Sequence, residues 1–249
     1  MEITEQYENN INNNIINNNI NNINITIPAL LDLTRTLAAR YLEKFQYPWE
    51  ALAGLKAFIL SLGPELGEDY QEISPSVWAH RTAKIAPTAF LGAPCIIGPE
   101  TEVRHCAFVR GSALVGQNCV IGNSVELKNV ILFDRVQTPH YNYVGDSILG
   151  YRSHMGAGSI TSNVKSDKTL VEVKAAPGLN INIARIPTGL KKFGAILGDY
   201  VEVGCNSVLN PGSVIGRHSN IYPVNCVRGV IPENSIVKTG GVIVPKRDA

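Results

Sequence analysis

The sequence predicts a mainly β fold, a parallel β-helix of six-residue repeats entered through a short helical cap. Three observations carry this. An aliphatic residue returns at every sixth position: Ile85, Leu91, Ile97, Val103, Val109, Val115, Ile121 and Leu127. The residue after it is often Gly or Ala, as at Ala86, Gly92, Gly98, Gly116 and Gly122. Aromatic residues make up only 7%, a mix that suits thin stacked strands better than a bulky core. A period of six fits neither a helix nor a simple hairpin. It fits a solenoid in which each hexad is one strand plus one sharp corner, the aliphatic side chain filling the interior. Such repeats close a triangular coil of about 18 residues, and coils stack about 4.8 Å apart.

Residues 1–27 are almost wholly Asn and Ile and read as a low-complexity tail. Asn competes with helix hydrogen bonds and solvates the backbone, although Ile11, Ile15, Ile16, Ile20 and Ile23 fall at helix-like spacing. Residues 28–72 read as a helical cap. Leu30, Leu33, Leu37 and Tyr41 are spaced for one helical face. Pro48 opens a second helix carrying Leu52, Leu55, Phe58, Ile59 and Leu62, and Gly63–Pro64 ends it.

Residues 73–249 are the expected β-helix. The hexad stops near Leu127 and resumes, shifted in phase, at Leu149 and Met155, then from Leu197 to Val227. The slip falls around QTPHYNYVGDS, residues 137–147, and a second interruption is VEVKAAPGLNINIARIPTGLKKFG. Loops are therefore expected near 133–147 and 165–193, and loops on a rigid scaffold are where binding and catalysis concentrate. Cys95 and Cys119 take fifth positions of their hexads, where small inward side chains belong.

Bulk properties exclude several classes. The net charge is +1 with 17% charged residues, against a dedicated nucleic-acid binder. No apolar run reaches about 20 residues, so no membrane helix is expected. No basic segment followed by an apolar one opens the chain, so no signal peptide is expected. Five Cys without a CxxC spacing suggest neither a disulfide framework nor a zinc ribbon, and a reducing cytoplasm is the simplest setting.

The stretches RGSALVGQNCVIGNSVELKN, TPHYNYVGDS, MGAGSITSN and GAILGDYVEVGCNSVLNPGSVIG keep a spacing that resembles the left-handed β-helix acyltransferases. More narrowly, residues 85–235 resemble the acetyltransferase half of the bifunctional N-acetylglucosamine-1-phosphate uridyltransferase/glucosamine-1-phosphate acetyltransferases. They resemble archaeal-type sugar-1-phosphate nucleotidyltransferases still more closely. YPWEALAGLKAFIL resembles the piece after the nucleotidyltransferase domain. The residues before it hold no Gly-rich nucleotide loop, so no nucleotidyltransferase activity is expected from this chain alone. Left-handedness comes from the resemblance and departs from the usual crossover preference.

The resemblance implies an acetyl-CoA-dependent N-acetyltransferase acting on glucosamine or galactosamine 1-phosphate, assembled as a trimer with sites between neighbouring prisms. His140 stands at the base position; a neutral imidazole suits removal of an amine proton near pH 7. Arg110 and Lys128 match phosphate-contacting positions and, 18 residues apart, should stack on one edge. Tyr143 and Asn163 match sugar-contacting positions. Ala157 would offer a backbone N–H to the acetyl oxygen, with Cys205 near the coenzyme and Arg228 toward its phosphates. Lys238, Lys246 and Arg247 are further late cations. Glu126 is read as a partner of Lys128, and Asp146 as orienting a neighbour. The chain departs from the family where His154 replaces an Asn, and it is placed to share the base role. Lys165 or Lys168 stands in for a displaced Lys. The five His show no close pair of the kind a three-His zinc site uses, so no metal is expected. Two other readings stay open: a non-catalytic subunit that partners a separate nucleotidyltransferase, and acyl transfer to another acceptor.

Overall fold

The structure, a computed structural model, describes residues 23–179 and 185–246. Most of the Asn/Ile tail, with Ile11, Ile15, Ile16 and Ile20, and Arg247 lie outside the described residues. From Val77 onward the chain winds as a parallel β-helix of about nine coils. The interior ladder is the one the hexad predicts: Ile97, Val103, Val109, Val115, Ile121 and Leu127 are all at most 1% exposed. Cys95 and Cys119 are buried among them, and burial pushes both thiols up to about 12.

The corners work differently from the simple expectation. The Gly after the interior residue is not the turning residue. The left-handed φ falls two residues further on, at Glu100, Cys106, Asn118 and Ser124. The glycines serve close approach between coils instead. A Cβ on Gly98 would lie 2.4 Å from Gly116 O, and one on Gly122 would lie 1.6 Å from Pro139 O.

The phase slip is also resolved without a loop. Phe108 pairs with Glu126, a step of 18 residues, whereas Lys128 pairs with Gly145, a step of 17. Two repeats, 128–132 and 145–149, have five residues in place of six. In each, the left-handed residue moves one position closer to the interior side chain: Asn129 after Leu127 and Asp146 after Val144. The expected excursion over 133–147 is therefore absent. Gln137–His140 is a strand paired with Val120–Asn123 above and His154–Met155 below. Thr138 takes the interior place of an aliphatic residue, fully buried, and donates from Oγ1 to Val120 O at 3.2 Å. Residues 164–179 and 185–193 do leave the coil. They carry the antiparallel pair Glu172–Val173 with Ile186–Pro187, and return where Gly194 N–H donates to Asp146 O at 2.8 Å.

The prism has three kinds of face. On the first, Ile96, Leu114, Ile131, Ile148, Ile196 and Val214 point outward by strand alternation, yet all are fully buried. The N-terminal segment covers them. Its helix Leu55–Leu62 packs on Ala113–Val115 and Glu126–Leu132, and its 3-10 turn Pro48–Ala53 packs on Tyr143–Leu149. The expected cap thus lies along this face. It is also broken into short turns. The first predicted helix becomes Ile27–Leu30, Leu33–Arg35 and Ala39–Leu42, with Leu37 41% exposed. Backbone contacts fasten it: Asp199 N–H donates to Leu30 O at 3.0 Å, and Asp32 N–H donates to the buried Asp199 carboxylate at 2.8 Å. The corresponding outward positions of the second face carry Lys84, Glu102, Gln137, His154 and Glu202, and this face stays open to solvent. The third carries the row Phe90, Phe108, Glu126, Tyr143 and Ile160.

Candidate active site

The third face is flanked by two edges, and most of the sequence-selected residues lie on one or the other. On the edge it shares with the second face, successive coils place Asn123, His140, Ala157 and Cys205. Tyr141 N–H donates to Asn123 O at 3.0 Å, Gly158 N–H to His140 O at 3.0 Å, and Asn206 N–H to Ala157 O at 2.8 Å. His140 ends its strand and is exposed. Its backbone N–H is held by Asn142 Oδ1 at 3.2 Å, while its imidazole makes no hydrogen bond among the described residues. Asn142 is itself buried and donates to Gly156 O and Ser159 O. The His140 backbone is therefore anchored by the coil, while its exposed ring has no partner among the described residues.

On the opposite edge stand Arg110, Lys128, Asp146 and Asn163. Asp146 is the centre of the group. Its carboxylate is 4% exposed and accepts from Lys128 Nζ at 2.8 and 3.0 Å, from Asn129 Nδ2 at 2.9 Å, and from Asn163 Nδ2. Asn163 also donates to Tyr143 Oη at 3.0 Å. Burial, then the charges of Asp146 and Glu126, push the Tyr143 phenol up, so it stays neutral. Arg110 pairs with Glu126 at 2.7 Å, and that hydrogen bond raises its pKa further.

One assignment changes here. Glu126 partners Arg110, not Lys128, because the two flank one another across the 18-residue step, whereas Lys128 turns into the shortened corner toward Asp146. Asp146 and Asn129 were the residues under-read in the sequence. The signal was the pair of five-residue repeats, since each contributes its left-handed residue to this cluster. Asp146→Ala would leave Lys128 and Asn163 without their shared acceptor. The expected cost is about 2–3 kcal/mol in denaturant unfolding.

Other selected residues fall elsewhere. Arg228 stands beside Asn210 on the Lys128 edge, several coils below and across the face from Cys205. His154 lies on the second face, in register with Gln137 and Glu202, and its Nδ1 pairs with Glu202 Oε2 at 2.9 Å. It does not meet His140. Lys165 is engaged by Asp167 at 3.4 Å at the base of the insertion, and Lys168 N–H donates to Lys165 O in the same turn. Among the described residues no three His, Cys, Asp or Glu side chains converge as a metal site. No described helix is long and apolar enough to cross a membrane.

Residues 93–221 match the model of the GMPPB C-terminal domain. The chain belongs to the GMPPB C-terminal domain family. The match spans both edges of the third face as far as Ile221. Among curated relatives, the chain is similar to the bifunctional protein GlmU of Methanococcus vannielii, with 32% identity over 64% of this chain and 34% of that protein. It is also similar to the bifunctional protein GlmU of Methanococcus maripaludis, with 29% identity over 83% of this chain and 50% of that protein. A bifunctional sugar-1-phosphate nucleotidylyltransferase/acetyltransferase of Sulfurisphaera tokodaii matches at 35% over 39% of this chain and 23% of its own length. The chain therefore spans half or less of each of these relatives.

Proposed function

We propose that this chain is an acetyl-CoA-dependent N-acetyltransferase whose acceptor is a hexosamine 1-phosphate. The observation that carries the reading is the division of the third face. A base and an adjacent backbone amide stand on one edge, at His140 and Ala157. Cations stand on the other, at Arg110 and Lys128 with Asn163 beside them, and Tyr143 lies on the face between. From His140 to the Lys128–Gly145 corner is about 16 Å along the backbone, at roughly 3.3 Å per residue. Arg, Lys and His side chains reaching inward from both edges span a phosphorylated sugar across that distance. The name of the Sulfurisphaera tokodaii relative, which includes an acetyltransferase, supports the same reading.

In the proposed reaction the acceptor amine attacks the thioester carbon. His140 takes the amine proton as the C–N bond forms. The Ala157 N–H, which has no acceptor among the described residues, stabilises the oxyanion. The C–S bond then breaks, and the departing thiolate takes the proton from the imidazolium. Donor and acceptor lie in clefts between copies of a homotrimer in this reading, and the first face, already covered, points away from the contact.

One observation favours a second reading. Arg110 and Lys128 each already carry a carboxylate, Glu126 and Asp146, so the edge is formally neutral before any dianion arrives. An acceptor without a phosphate, transferred by the same His140 edge, fits that balance. Arg110→Ala separates the two. With a hexosamine 1-phosphate acceptor it is expected to raise the acceptor KM at least ~10-fold, the scale of one charge-assisted contact, and to leave the acetyl-CoA KM unchanged. Steady-state kinetics in which neither constant moves would favour the phosphate-free acceptor. A chain that serves as a non-catalytic partner of a separate nucleotidyltransferase would show no turnover with either.

A further inference from the structure

Outside this site, the second face carries a groove of about 520 Å³ along the edge it shares with the first. Arg135 and Arg152 stand there on successive coils. Arg135 N–H donates to Gln117 O at 2.8 Å and Arg152 N–H to Asp134 O at 3.1 Å. Both are corner residues with left-handed φ, 61° and 56°, so their positions are fixed by the coil. Arg35, Arg81, Arg104, Arg110, Arg185 and Arg217 each have a carboxylate within 4.0 Å. Arg135 and Arg152 have none among the described residues. Asp134, the nearest acid in sequence, is half-buried and already accepts from Gln117 N–H at 2.9 Å.

The rest of the groove is polar and aromatic. Asn118 and Gln137 offer amides. Glu202 is occupied by His154. Tyr200 is 39% exposed and is backed by His218, stacked at 4.7 Å. Two guanidinium forks without an ion-pair partner within 4.0 Å among the described residues, one of them resting over the Tyr151 ring at 5.8 Å, amide donors and a supported aromatic wall are the chemistry that holds phosphates beside a flat ring. The volume falls in the range of small-ligand sites, about 300–1,000 Å³.

We propose that this groove binds a nucleoside diphosphate moiety, with the phosphates on Arg135 and Arg152 and the base against Tyr200. Coenzyme A carries such a moiety, and so does a nucleotide-linked sugar. Gln137 lies in the groove and begins the strand that His140 ends. A ligand laid across the second face therefore points its far end at the His140 edge.

The test is calorimetric titration of the full chain with ADP, UDP and coenzyme A, beside inorganic phosphate and uridine. At least one nucleotide is expected to bind at least ~10-fold more tightly than phosphate or uridine, and less tightly as salt rises. The double variant R135S/R152S is expected to weaken it at least ~10-fold, while Arg81→Ser, away from the groove, changes nothing. Loss of coenzyme A and ADP binding together assigns the groove to the acyl donor. Selective loss of UDP assigns it to a nucleotide-linked acceptor. Should the double variant fail to fold, Arg135→Lys and Arg152→Lys keep the charge and remove the fork; a drop of about 3-fold or more is expected from either. Absence of nucleotide binding, or binding that none of these variants weakens, overturns the proposal. The readout needs no acceptor and no turnover, so it is separate from whether His140 transfers an acetyl group.

Discussion

His140→Ala is expected to lower N-acetyl product formation at least ~100-fold while leaving the fold intact, the scale of general-base catalysis. The two halves of that expectation have separate physical grounds. The ring is exposed and makes no hydrogen bond among the described residues, so its removal leaves no buried group unpaired. The coil positions the residue through its backbone, by Asn142 Oδ1 and by the Gly158 N–H, and neither contact depends on the imidazole. A thermal unfolding midpoint within about a degree of wild type should accompany the loss of product. Because His154 is held by Glu202 on another face, it offers no rescue within the chain.

Gly122→Ala is expected to destabilise by more than about 3 kcal/mol, beyond the usual ~1–3 kcal/mol of overpacking. A Cβ there would sit 1.6 Å from Pro139 O and 2.0 Å from Pro139 C. Those are backbone atoms of the strand that carries His140, and no rotamer change relieves the contact. The two strands would have to part, breaking the pairing of Thr138 with Ile121. Gly67→Ala is the matched control, since an added Cβ there meets nothing within 4 Å. Denaturant midpoints should fall sharply for the first and stay near wild type for the second.

Much of the fold is legible because the repeat is a local rule. One aliphatic residue every sixth position forces one interior ladder, and no distant contact can reinterpret it. The covered face was legible too, through a longer period. Every third hexad doubles its aliphatic residue, as in Ile96–Ile97, Leu114–Val115, Ile131–Leu132, Ile148–Leu149, Ile196–Leu197 and Val214–Ile215. Within those pairs the first residue points outward, so an apolar residue once per coil, at steps of 17 or 18 residues and again after the insertion, already announces a partner on that face. Read with a period of six alone, the same segment looks like a cap with no face assigned to it.

For the candidate site, the shared placement of the selected residues was legible and their pairing was not. His140, Arg110, Lys128, Tyr143 and Asn163 all border the third face, but their partners depend on corners one residue short. A missing residue moves Asn129 and Asp146 inward to the place where Lys128 and Asn163 end. Spacing rules count residues between strands and say little about which side chain a tight corner turns toward. That is why Glu126 looked like the partner of Lys128 and instead holds Arg110.

The most direct test is product mass after incubating the purified chain with acetyl-CoA and glucosamine 1-phosphate, repeated with galactosamine 1-phosphate. The account predicts an N-acetylated hexosamine 1-phosphate from at least one acceptor. A folded chain that yields neither product would contradict it.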